Sequence, residues 1–60
     1  MALVKDIKVG DRIGHYGSFR KVVTNSPSTD GNFVLVVEED FGFVSNRIEN
    51  GKTNLVVKGE

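Results

Sequence analysis

The longest unbroken apolar run in this chain lies in 31–40, GNFVLVVEED, where Phe33, Val34, Leu35, Val36 and Val37 follow one another. A strand with that pattern turns apolar side chains to both faces, so it is expected between neighbours at the centre of the fold. Upstream, 11–16 (DRIGHY) alternates, with Ile13 and His15 on one face and Arg12 and Tyr16 on the other. Gly17-Ser18 reads as a hairpin turn, and 19–24 (FRKVVT) as a second strand rich in β-branched and aromatic residues. The polar stretch 25–32, NSPSTDGN, predicts an exposed loop, because Pro, Ser, Asp and Gly each favour turns.

Beyond the central strand, 41–44 predicts a fourth strand and Leu55-Val56-Val57 a closing one. Two readings stand for the segment between them. Asn50-Gly51 can be a two-residue type I′ turn pairing 44–49 with 52–57. Alternatively, 45–48 is a single 3₁₀ turn between two strands, and Asn50-Gly51 only a bend. At the start, 1–8 reads as an irregular lead-in whose Leu3, Val4 and Ile7 pack on one end of the fold; their spacing also allows one helical turn, with nothing to cap it. Residues 58–60 are expected to fray.

Sixty residues make one domain, 1–60, and a chain this short buries only about 60% of its unfolded surface. With no cysteine and one histidine, neither a disulfide nor a zinc site can supplement the core, which leaves a tight β core, oligomerisation or a bound partner. No apolar stretch approaches a membrane span and no signal-peptide core is present, so a cytoplasmic location is expected. Net charge is 0, but unevenly spread. Lys5, Lys8, Arg12, Arg20 and Lys21 dominate the first 25 residues, whereas Asp30, Glu38, Glu39, Asp40 and Glu49 dominate 26–50. The halves can attract across adjacent strands, or the first can present a basic face.

Three stretches give the chain a family resemblance. Lys8-Val9-Gly10-Asp11-Arg12-Ile13 resembles the KxGDxI entry to the first strand of an SH3-like barrel, and Phe19-Arg20-Lys21-Val22-Val23 its aromatic-Arg-x-x-Val second strand. Asp40-Phe41-Gly42 resembles the Asp-Tyr-Gly that ends the third strand; the Tudor type is the most similar. Residues 42–49 also resemble the GLFPSNYVE tail of true SH3 domains, but with Val44 and Arg47 where that tail has its Pro and Tyr, and no Trp anywhere. The resemblance therefore implies barrel geometry without a polyproline groove. A Tudor-type methyl-lysine or methyl-arginine cage would have to use Tyr16, Phe19 and Phe41. The Val-Gln-Ile-Tyr strand of the plasmid-encoded dihydrofolate reductases, also small SH3-like barrels, is missing.

Three clusters carry candidate chemistry. His15, alone, has no partner that the sequence identifies, and a structural role is expected. Glu38-Glu39-Asp40 could support acid–base work or hold a hard cation, but fits better as a solubilising strand end. Lys8, Arg12, Arg20 and Lys21, with Tyr16 and Phe19 for stacking, have the composition of a single-strand nucleic-acid face.

The expectation is an all-β, five-stranded, strongly bent antiparallel SH3-like barrel, acting as a non-enzymatic module that binds a protein partner. An accessory or inhibitor protein of the kind phage and plasmid genomes encode would have this size. The binding residues are expected among Lys8, Arg12, Tyr16, Phe19, Arg20, Lys21 and Phe41, with no cofactor or metal. The alternatives are RNA or DNA binding through the basic and aromatic face, and an enzyme active only as a homo-oligomer.

Overall fold

The structure, a computed structural model, describes residues 1–58. It is all-β. Strands β1 (Ala2–Leu3), β2 (Arg12–His15), β3 (Ser18–Pro27), β4 (Asn32–Glu38), β5 (Val44–Asn50), β6 (Asn54–Leu55) and β7 (Val57–Lys58) form a five-stranded antiparallel sheet in the order β5-β4-β3-β2-β7 and a two-stranded β1-β6 pair. Consecutive strands β2 to β5 form a meander, and β7 returns to lie beside β2, an arrangement compatible with an SH3-like fold. The sheet does not close on itself: β5 and β7 are its two edges.

β3 joins the two halves. Its first residues pair with β2 and its later ones with β4, and a register shift between Val22 and Thr24 separates the two pairings. The irregularity also changes which side chains face inward, from Val22 on one side of it to Asn25 on the other. The core comprises Val4, Ile7, Ile13, Val22, Leu35 and Val37, with Ala2, Phe33, Leu55 and Val57 packed against it. The uninterrupted run is central, as the pattern implies. Leu35 and Val37 lie in the core, while Val34 and Val36 on the other face are half-buried by neighbouring strands alone.

Tight turns set the strand boundaries, and several differ from the expected ones. Tyr16-Gly17, Asp30-Gly31 and Phe41-Gly42 each place two successive residues at positive φ, the backbone of a type I′ hairpin turn. Tyr16 therefore leaves β2 and forms the turn itself, and Phe41-Gly42 turns the chain instead of starting a fourth strand. β3 runs on through Asn25, Ser26 and Pro27, paired with Leu35, Val34 and Phe33, so the polar loop shrinks to the 28–31 turn.

Neither reading of 45–51 holds. β5 is a continuous strand paired with β4 over its whole length, which excludes a 3₁₀ turn at 45–48. Asn50-Gly51 is not a type I′ pair: the chain turns one residue later, with Thr53 N–H donating to Asn50 O and Lys52 N–H to Asn50 Oδ1. Gly51 is needed for space. A Cβ there would meet the Phe33 ring at 2.7 Å and Gly31 O at 3.2 Å.

The lead-in is more ordered than its composition indicates. Val4–Asp6 forms one 3₁₀ turn, and Asn25 Nδ2 donates to both Val4 O and Ile7 O at 2.9 Å, which ties it to β3. Lys58 is paired with Arg12 in β7, not frayed, and 59–60 lie outside the described residues.

Candidate functional site

Two of the three type I′ turns emerge at the same end of the sheet. β3 runs antiparallel to both β2 and β4, so the β2–β3 turn and the β4–β5 turn are neighbours across it. Each carries an aromatic residue. Tyr16 (φ 49°) is 94% exposed and Phe41 (φ 62°) is 96% exposed, with Phe43 exposed just after the second turn. The left-handed region costs an ordinary L-residue about 1–2 kcal/mol, and Asn, Asp or Gly normally occupy it. Asp30, in the turn at the other end, follows that rule. Tyr16 and Phe41 break it, and neither is buried in exchange.

Beneath the tips lies one connected polar network. Arg20 faces the same side as Ile13 and Val22 and forks onto Asp40, Nη1 to Oδ1 at 2.7 Å and Nη2 to Oδ2 at 3.3 Å, with its Nε 3.5 Å from Glu39 Oε1. Glu39 Oε2 accepts from Ser45 Oγ at 2.8 Å and lies 3.3 Å from His15 Nε2. Arg47, on β5, donates through Nη1 to Gly14 O and to His15 Nδ1, both at 3.2 Å, and through Nε and Nη2 to Glu49 Oε2. The network spans the gap between edge strand β5 and β2, where a cleft of about 340 Å³ opens.

The hydrogen bonds define what this cluster can do. His15 is buried, and its Nδ1 accepts from a guanidinium, so the ring proton sits on Nε2 and points to Glu39. Ser45 Oγ, 3.4 Å from that same Nε2, faces a protonated nitrogen and gives its own proton to Glu39. An activated serine needs the reverse arrangement, an unprotonated imidazole nitrogen accepting from the hydroxyl. The Ser45 hydrogen bond holds the Glu39 carboxyl below the usual carboxylate range; His15 and Arg20 act in the same direction, against partial desolvation. The Arg20 hydrogen bond and charge likewise hold Asp40 down, and Asp40 holds Arg20 up.

The expected binding residues divide by face. Arg20 and Lys21 are consecutive in a strand, so they point to opposite faces. Arg20 is spent on Glu39 and Asp40. Arg12 and Lys21 are directly opposite each other on the outer face, and Lys58 stands opposite Arg12 from the other side. All three are exposed, and none has a carboxylate partner among the described residues. Phe19 shares that face, 46% exposed, with the Lys58 amine 5.8 Å from its ring centre. Lys8 sits apart, in the 8–11 turn that Asp11 closes. The aromatics do not surround one cavity: Tyr16 lines the cleft beside β5 and stacks edge-on against His15 with ring centres 4.5 Å apart, whereas Phe19 and Phe41 line a separate one of about 480 Å³. Sequence reasoning missed Ser45, Arg47 and Lys58. The alternation Ser45, Arg47, Glu49 along β5 was the available signal: one reading of this segment made 45–48 a turn, and the other placed 44–49 in a strand without drawing a site from it.

No helix among the described residues is long and apolar enough to cross a membrane. No protein-family model, curated protein or solved structure matches the chain.

Proposed function

We propose that the chain is a non-enzymatic binding module that recognises a protein partner through the end of the sheet carrying Tyr16, Phe41 and Phe43. One observation carries this reading: two aromatic side chains are held almost fully exposed in left-handed backbone. Strain of that kind persists where a task requires it, and exposed aromatics are the side chains that most often anchor protein interfaces. The polar network below braces both turns, so the aromatics are presented on a rigid mount and lose little freedom on binding. The protonated Nε2 of His15 supports the non-enzymatic part. A role as an accessory or inhibitor protein in a reducing, cytoplasmic setting fits a small cysteine-free chain.

The test is affinity capture from a source-cell lysate with tagged wild-type protein and with Tyr16→Asn/Phe41→Asn, each with and without nuclease. A stoichiometric protein that survives nuclease and is lost with the double variant supports the reading. Equal capture by both chains refutes it.

A second reading has its own observation. Lys21, Arg12 and Lys58 line up across three adjacent strands beside Phe19, although like charges directly opposite one another are destabilising. A single-stranded RNA or DNA would neutralise that row and stack on the ring. In that case the captured material is sensitive to nuclease, and Arg12→Ala weakens it at low salt with a reduced salt slope.

A further inference from the structure

We propose that β5 is a dimer edge, at which two copies of this chain pair their Val44–Asn50 strands antiparallel across a two-fold axis at Ile48. This surface adjoins the aromatic tips, since Tyr16 lines the cleft beside β5 and Val44 follows Phe43, but it does not depend on the partner-binding reading.

The backbone makes the case first. Among the described residues, β5 is a sheet edge bonded only to β4, in an unbroken register from Asn32↔Asn50 to Glu38↔Val44. Two bonds continue that register at its ends, Gly51 N–H to Gly31 O at 2.9 Å and Glu39 N–H to Phe43 O at 2.7 Å. Bonded pairs alternate in an antiparallel ladder, so 45, 47 and 49 bond to β4. The N–H and C=O groups of Val44, Asn46, Ile48 and Asn50 therefore point away from the sheet. Among the described residues only Asn50 O has a backbone partner, Thr53 N–H.

The edge carries inward-facing charges, Arg47 and Glu49, but otherwise lacks the devices that usually protect one. It has no Pro, no Lys and no bulge, and its outward side chains include Val44, 57% exposed, and Ile48, 66% exposed, beside half-buried Val34 and Val36. An open edge of this length, with Val44 and Ile48 among its outward side chains, is a template for another strand.

Self-complementarity identifies the occupant. Outward groups lie on even-numbered residues, so a symmetric antiparallel pair must match even with even. An axis at Arg47 would put Arg47 against its own copy, which like-charge repulsion disfavours. An axis at Ile48 puts Arg47 opposite the second copy's Glu49 twice, Ile48 against Ile48, and Asn46 against Asn50. Arg47 already bonds Glu49 Oε2, Gly14 O and His15 Nδ1, so the incoming guanidinium meets Glu49 Oε1 with its one remaining Nη2 hydrogen. The two-fold operation thus generates ion pairs, an apolar contact and backbone bonds from one seven-residue strand.

The experiment is sedimentation of the full chain over a concentration series, with Asn46→Pro and Ile48→Lys alongside. Proline at 46 removes an outward N–H and leaves the bonds to β4 intact. Lysine at 48 places two like charges on the axis. The proposal expects a wild-type dimer that dissociates on dilution, and at least a tenfold weaker dimer in each folded variant. A wild-type chain that stays monomeric up to about 1 mM overturns it, as does a dimer unchanged by both substitutions. Should Asn46→Pro fail to fold, Ile48→Lys decides alone.

Discussion

Tyr16 and Asp30 occupy the same position in two turns of the same type, and the contrast isolates what the aromatic costs. Asp tolerates left-handed backbone by bonding locally, whereas Phe41 has no such bond and Tyr16 gains only its edge-on contact with His15. Replacing Phe41 by Asn is expected to raise stability by about 1 kcal/mol, which moves the melting temperature of a domain this size up by about 4–8 °C. Differential scanning calorimetry measures the change directly. Two glycines make a complementary pair. Gly14 has ordinary backbone, and an added Cβ would meet only Val56 Cβ at 3.9 Å, so Gly14→Ala is expected to be neutral or to stabilise by about 0.5 kcal/mol. Gly51→Ala drives a methyl into the Phe33 ring and is expected to cost about 1–3 kcal/mol. Urea unfolding of the two variants should move in opposite directions or leave Gly14→Ala unchanged.

At the scale of the element, β4 and the network at its end carry different parts of the stability. Leu35 is fully buried where β3 and β5 flank the core, and Leu35→Ala is expected to cost about 2–5 kcal/mol. A single core in a domain below 70–80 residues rarely supplies more than about 3–5 kcal/mol, so that loss approaches the whole. Leu35→Asp, which adds an unpaired buried charge, should leave no native spectrum by circular dichroism. Glu39 and Asp40 act through pH. Both carboxyls titrate lower in the folded chain than in the unfolded one, where Glu and Asp titrate at about 4.3 and about 3.9. Their contribution is complete above those unfolded values and is lost as pH falls through the depressed folded ones. Stability should therefore decline below about pH 4.5, and Arg20→Met should flatten that decline by removing the main cause of the Asp40 shift. Urea midpoints between pH 7 and pH 2 test it.

At the scale of the molecule, what could be read from the sequence follows from what is local. The unbroken apolar run of β4, the period-two alternation of Ile13 with His15, and the all-β class are all local patterns, and the structure has all three. Turn positions were less legible. Tyr16-Gly17 and Phe41-Gly42 place aromatics where turn chemistry asks for Asn or Asp, so propensity assigned both to strands. Asn50-Gly51 carries the strongest hairpin signature in the chain and forms a different turn: Gly51 N–H continues the ladder onto Gly31 O, so the chain turns after it. Among site residues, Tyr16, Phe19 and Phe41 were visible as exposed-aromatic candidates, but their separation into two clefts depends on β3 curling between β2 and β4. The sequence grouped Arg20 with Arg12 and Lys21 by charge. Pairing register divides them, with Arg20 inward and satisfied and the other two outward beside Lys58.

Under the proposed function, Tyr16 and Phe41 are kept for binding at the expense of the fold. The most direct test is urea unfolding of Tyr16→Asn/Phe41→Asn beside the wild type, without any partner. A more stable double variant, by about 2 kcal/mol, is the predicted result. A double variant that unfolds at lower urea would contradict the claim, because the aromatics would then be holding the structure together.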